Sequence, residues 1–256
     1  MQPLENTIFV GKVLFYLPAV GSTNDELKRK AKAATLPDGT TVLTYHQTSG
    51  RGQMGSAWQS PPGETVALSV LLRPAFVPLA RRHHLNVAVS LAVHDVVAAL
   101  LPPHRQAYIK WPNDILIDDH KCCGILIENQ IGRTKLNASI VGIGLNVNQV
   151  DFPDELARAT SLRQATGMPW SLDDVATRVL HALERRYLAL RRGEERAQLS
   201  DYYSAMYRFR VPSTFVRRDG TPFDGYIQGI ATGGRLSIVK GDGVVETFGV
   251  KDVRFA

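Results

Sequence analysis

Apolar residues change period several times along the chain, and each change marks an element. Ile8 to Phe15 is a short apolar run that predicts a strand. Ser22-Thr23-Asn24-Asp25-Glu26 then supplies a capping hydroxyl and early acids, so a helix is expected to run to about Ala34. Thr40 to Tyr45 and Val66 to Leu72 have strand composition. Between them, Gln47 to Gly63 carries glycines and prolines without apolar periodicity. Loops longer than about 12 to 15 residues tend to be functional or disordered, which makes this one a candidate site.

A long helical pattern covers Leu79 to Leu100 and ends at Pro102-Pro103. Tyr108 to Ile117 reads as one strand, and Lys121 to Glu128 with Lys135 to Asn148 reads as a hairpin through Gly132. A short helix is expected at Asp154 to Ala159, and longer ones at Leu172 to Leu190 and Glu194 to Tyr207. From Val211 onward, short alternating strands are punctuated by Asp219-Gly220, Gly233-Gly234 and Gly241-Asp242-Gly243, the pattern of a small β-barrel. The expected division is therefore residues 1–208 and 209–256.

Composition adds little to this picture. With 44% hydrophobic and 21% charged residues the chain reads as ordinary globular protein, not disorder. No secretory leader pattern opens it, and no apolar run is expected to span a membrane. Cytoplasmic location is the expectation. Cys122 and Cys123 are adjacent, which suits neither a structural disulfide nor zinc spacing, so both are expected to be small packing residues. The net charge of +6 is spread through several arginine pairs rather than one arm. His83-His84 is expected to be a solvated helix start.

Four segments carry candidate chemistry. In Ser49-Gly50-Arg51-Gly52-Gln53-Met54-Gly55-Ser56-Ala57-Trp58, glycines permit tight backbone and an arginine offers a planar cationic fork, yet no Gly-Lys-Ser/Thr makes it a Walker element. A plain connection is the alternative. Lys110-Trp111-Pro112-Asn113-Asp114 ends a strand with a cation, an aromatic and polar groups, or is simply an edge strand and turn. Lys121 follows the turn Asp118-Asp119-His120, and next to a phosphate its ammonium would stabilise developing negative charge. In Val141 to Asn148, period two separates Val141, Ile143, Leu145 and Val147 from Gly142, Gly144, Asn146 and Asn148. One face is core, and the other is bare enough for a flat ligand to lie on the backbone.

Together these segments resemble the biotin protein ligases: the Gly-Arg-Gly loop with Trp58 and Ser60-Pro61, Lys-Trp-Pro-Asn-Asp, the lysine before Gly124-Ile125-Leu126, and Gly-x-Gly-x-Asn-Val-Asn. The early Ser22-Thr23-Asn24 and Gln47 fit as well, and the likeness spans roughly Thr7 to Asn148. It implies an α+β fold of the class II synthetase-like, biotin/lipoate ligase type. A mixed, largely antiparallel sheet would be backed by helices and followed by an SH3-like barrel.

The implied activity is attack of biotin's carboxylate on ATP, giving biotinyl-5'-AMP and pyrophosphate, then transfer to a lysine of a biotin carboxyl carrier protein. Lys121 and Arg51 would be catalytic. Ser22, Thr23, Asn24, Gln47, Arg51, Gly52, Gln53, Lys121 and Gly124 would surround biotin. Arg51, Gly52, Gln53, Trp58, Lys110, Asn113, Lys121 and Asn146 would surround the nucleotide. Mg2+ would arrive with ATP, with Asp114 as its protein ligand or else a turn-stabilising carboxylate.

The best-known form of the loop carries further basic residues where this chain has Gln53 and Ser56, leaving more of the adenylate's retention to Lys121 and Arg51. No DNA partner is expected, since the first strand starts near residue 8, and a homodimer stays open. The rivals are a lipoate ligase or octanoyl transferase, and a non-enzymatic binding protein.

Overall fold

The structure is a computed structural model and describes residues 2–59 and 61–256, with the side chain of Met54 outside the description. Ser60 of the expected Ser60-Pro61 pair lies outside the described residues. The elements run β1 Leu14–Tyr16, α1 Thr23–Ala33, β2 Thr41–Thr44, β3 Gly50–Arg51, β4 Ala57–Trp58, β5 Thr65–Leu72 and α2 His83–Leu100. Then come β6 Ala107–Lys110, β7 Asp114–Ile117, β8 His120–Ile131, β9 Leu136–Asn146, α3 Leu162–Thr166, α4 Leu172–Arg191 and α5 Glu195–Ala205. Strands β10 Ser213–Arg217, β11 Pro222–Ile230, β12 Leu236–Lys240, β13 Val245–Phe248 and β14 Val253–Phe255 complete the chain.

Seven strands form the main sheet in the order β1-β2-β5-β9-β8-β7-β6, parallel only between β1 and β2. Because side chains alternate, each strand presents two different faces. Leu68 opposite Ile143 and Val70 opposite Val141 belong to the main core, which also holds Leu85 and Leu91 of α2 and Val179 and Leu183 of α4. The other face carries Val42, Leu71 and Ile140, which pack with Leu27 of α1. Helix α1 is fixed at its start by Ser22, whose Oγ accepts from the Asp25 amide. The segment 79–100 is long and apolar enough to cross a bilayer by composition, but most of it is buried within the fold. Among the described residues it is the one such helix.

Several expectations change. Ile8 to Val10 is not strand: the three successive amides of Ile8, Phe9 and Val10 donate to the carboxylate of Glu184 in α4 at 2.8–3.0 Å. A concave loop around one anion replaces the ladder there, and β1 begins only at Leu14, after Gly11 at φ 73°. Tyr108 to Ile117 is two antiparallel strands, β6 and β7, that turn at Trp111-Pro112-Asn113, where the bond before Pro112 is cis. Asp154 to Ala159 contains a 3-10 turn at Asp154–Leu156, and α3 follows it with a Ser161 cap and Gly167 in left-handed conformation. His83-His84 is half-buried, not solvated; the rings lie 4.3 Å apart, and burial first, with the neighbouring cations, pushes His83 down to about 4. Cys122 and Cys123 are buried in the core as expected, with thiols pushed up by burial.

The C-terminal strands form an antiparallel sheet ordered β13-β12-β11-β10-β14, consistent with an SH3-like module. It is not a closed barrel: β13 and β14 are its edges, and no ladder joins them among the described residues. Phe215, Ile227, Ile238 and Phe248 fill its inner face, and they continue the main core without a break. The two sheets meet at the start of α2 and the β6–β7 turn. There Trp111 Nε1 donates to the Gly234 carbonyl at 3.1 Å, and a Cβ on Gly234 would lie 2.8 Å from His83 Cβ.

Candidate active site

The bare face of the main sheet opens into a cavity of about 630 Å³, roofed by the Gly50–Trp58 loop and closed by the C-terminal sheet. The loop is structured, since β3 and β4 pair and the Gly52 amide donates to the Ser56 carbonyl at 2.6 Å. Every side chain or glycine proposed from sequence lines this cavity except Asn146, which is 5% exposed and donates Nδ2 to the Thr160 carbonyl at 3.0 Å. Asn146 therefore anchors the segment leading into α3 and does not face the cavity.

One end is a dense array of neutral hydrogen-bonding groups. The Thr23 amide donates to Gln47 Oε1 at 2.9 Å, and Thr23 Oγ1 lies 3.2 Å from the same oxygen. Asn24 Nδ2 donates to Glu128 Oε2 at 2.8 Å and to the Leu126 carbonyl at 3.4 Å. Gly142 is glycine because of this array: a Cβ there would lie 2.3 Å from Asn24 Oδ1.

Where the sequence suggests a flat ligand on the glycine strands, the structure places the protein's own Trp58 ring. A Cβ on Gly144 would lie 2.6 Å from Trp58 Cε2, and one on Gly124 3.1 Å from Trp58 Cζ3. The indole thus covers the glycines of both strands, and its Nε1 is buried without an acceptor among the described residues. An indole resting on two bare backbones measures the slot available to any planar ligand ring.

Two lysines, Lys121 and Lys110, mark the other end. Lys121 Nζ pairs with Asp114 Oδ1 at 2.7 Å and stands 5.7 Å from the Trp58 ring centroid. Its backbone is tied to the segment before α3, donating to the Arg158 carbonyl at 2.7 Å and accepting from the Thr160 amide at 2.9 Å. Burial first, then the cations Lys121 and Arg158, lower the Lys110 ammonium below the usual lysine value, against the pull of Asp114. Asn113 does not present its amide freely, because Nδ2 donates to the Ile125 carbonyl at 2.6 Å, which holds the β6–β7 turn against β8. Arg51 lies back at the Asn24 end, where it meets Asp25 Oδ1 at 2.7 Å and Glu128 Oε2 at 3.0 Å, so the loop is moored to α1 and β8 by ion pairs.

Sequence reasoning missed several members. Glu128 joins Asn24, Lys28 (2.5 Å) and Arg51, and although burial pushes its carboxyl up, these partners hold it below the usual range. A carboxylate ending the apolar run Ile125 to Ile127 was the available signal. Ser69, wholly buried, touches Thr23 and Asn24, and its signal was a lone hydroxyl inside Val66 to Leu72. Arg217, Arg218 and Arg254 of the C-terminal sheet also line the cavity, and nothing local in the sequence ties them to it. Among the described residues no group of three or more His, Cys, Asp or Glu could hold a metal by itself.

The biotin/lipoate A/B protein ligase family model matches residues 16–146, which contain all of the predicted site residues. The Bacillus subtilis bifunctional ligase/repressor BirA is 39% identical over 184 residues, covering 71% of this chain and 55% of the relative. The biotin--[acetyl-CoA-carboxylase] ligase of Mycobacterium tuberculosis is 36% identical over 173 residues, 67% of this chain and 62% of that one. This chain thus spans a little over half the length of these relatives. Among solved structures, the Aquifex aeolicus biotin protein ligase in complex with biotin and ATP superposes with a TM-score of 0.78 at 26% identity, covering 96% of this chain and 100% of that one. Because the family model matches residues 16–146, just over half of the sequence, the chain belongs to the biotin/lipoate A/B protein ligase family.

Proposed function

We propose that the chain activates biotin with ATP and transfers it to a lysine of a biotin carboxyl carrier protein. One observation carries this reading: a single cavity joins a neutral donor–acceptor array to a lysine-lined end across the glycine strands on which Trp58 rests. Its volume of about 630 Å³ lies within the range of small-molecule sites. A cyclic urea suits the first end, because Gln47, Thr23, Asn24 and Ser22 offer both donors and acceptors. The acyl chain would then lead its carboxylate toward Lys121.

Activation requires a carboxylate oxygen to attack the α-phosphorus of ATP while pyrophosphate leaves. Negative charge grows on the phosphoryl oxygens, and Lys121, with Arg51 released from its carboxylate partners, is assigned to stabilise it. The carrier's amine next attacks the acyl carbon of the anhydride, and AMP departs. Lys110 and Asn113 are assigned to the nucleotide side, Asn113 by fixing the turn that carries Lys110 and Asp114. Magnesium bound mainly through substrate phosphates needs one or two carboxylates, and Asp114 is the carboxylate at that end of the cavity. The metal would supply charge neutralisation of the phosphates. We assign residues 1–208 to the catalytic part and 209–256 to a module that closes over it.

The reading is supported by the relatives named as biotin ligases and by the neighbour solved with biotin and ATP. It is tested by pyrophosphate release from ATP with biotin, lipoate or octanoate supplied separately. Release with biotin alone is expected. Release with lipoate or octanoate instead would move the chain to another branch of the family, and no release with any of them would leave a binding protein.

A further inference from the structure

Ser69 lies beneath the neutral end of the cavity, wholly buried and outside its lining. Its Oγ is 2.6 Å from Asn24 Oδ1 and 2.7 Å from Thr23 Oγ1, which in turn is 3.2 Å from Gln47 Oε1. Partners with a single role fix both amides that end this row. The Thr23 amide only donates, so Gln47 turns its oxygen toward Thr23. The Glu128 carboxylate and the Leu126 carbonyl only accept, so Asn24 turns its nitrogen to them and its oxygen to Ser69.

Two oxygens that only accept therefore bracket two hydroxyls, and the three contacts of the row share two protons. The two shortest contacts claim the two protons, so Asn24 Oδ1, at 2.6 Å, takes the one on Ser69. The 2.7 Å contact then requires the Thr23 proton, pointed inward at Ser69. What remains is the longest contact, Thr23 Oγ1 to Gln47 Oε1, with lone pairs facing one another at the cavity edge. The row is one donor short.

We propose that Ser69 is a specificity-determining residue: by drawing the Thr23 proton inward it leaves Thr23 Oγ1 an acceptor, so the site selects a ring that brings its own N–H. A cyclic urea brings one, whereas a dithiolane or an alkyl chain brings none and leaves the row unpaired. The inference rests on the biotin reading and supplies a physical reason for discrimination against the other acids handled within the family.

The test compares binding of biotin with that of the isosteric cyclic carbamates in which one ring N–H is replaced by oxygen, using the full chain and calorimetry. Wild type is expected to bind the disfavoured carbamate on the order of 100-fold more weakly, the range for a buried group left without its partner. In Ser69→Ala the Thr23 proton is free to turn toward the ring oxygen, so the ratio should fall below about 10-fold while the KM for ATP is unchanged. A merely structural role would weaken both ligands equally and leave the ratio intact. Thr23→Val, which deletes the acceptor, should collapse the ratio too and serves if Ser69→Ala does not fold. A ratio unchanged in a folded variant overturns the proposal. Wild-type protein that binds no biotin would instead overturn the function on which it rests.

Discussion

The two faces of the main sheet are built from the same strands and have opposite duties. On β5 and β9, Leu68, Val70, Val141 and Ile143 face α2 and α4 and are buried in apolar contact. One residue along, Ser69, Gly142 and Gly144 face Asn24 and Trp58. A strand separates stability from recognition simply by its period of two, so neighbouring substitutions should produce unrelated defects.

The largest expected effect lies on the cavity side. Lys121→Ala should lower pyrophosphate release by about two to three orders of magnitude, as for loss of one charge-stabilising group, with a melting temperature near wild type. Melting and turnover measured together would break the comparison if both fell. Next, Ile143→Ala on the core face should cost about 2 to 5 kcal/mol of stability, read by denaturant unfolding, with turnover per folded molecule preserved. Gly144→Ala, only one position away, should do the reverse. Its Cβ meets the Trp58 ring at 2.6 Å, so the indole must shift and the KM for ATP should rise about tenfold while unfolding changes by about 1 kcal/mol, less than for Ile143→Ala.

The smallest effect concerns Lys110. Its lowered ammonium pKa means that charge is lost as pH rises through that value, so activity should decline on the alkaline side earlier than for an ordinary lysine. Lys110→Arg, which stays protonated, should extend the plateau upward. Matching pH profiles for the two proteins would remove Lys110 from the cationic end.

Much of this was legible because periodicity reports burial. The alternation in Val141 to Val147 placed the glycines on the open face, and the Ser22 cap placed α1. What failed did so for tertiary reasons. Ile8 to Val10 has strand composition, but Glu184, far along the chain, captures its amides. Tyr108 to Ile117 looks continuous, but turns where Pro112 removes a donor and the Asn113 amide reaches β8. Ser69 and Glu128 left only a lone hydroxyl and a closing carboxylate as signals because each meets α1 through sheet register, and the C-terminal arginines left none because only the docking of the second sheet brings them to the cavity. Asn146 shows the converse: a motif residue in the right strand whose side chain serves a neighbouring segment.

Under the proposed function, the pairing of Arg51 with Asp25 and Glu128 makes these carboxylates rivals of the substrate's phosphate. A phosphate that recruits Arg51 exchanges one negative partner for another, so its affinity is a difference between two nearly matched attractions. Entry then depends on competition within the protein, and the loop is held shut by the same kind of contact that an incoming phosphate must replace.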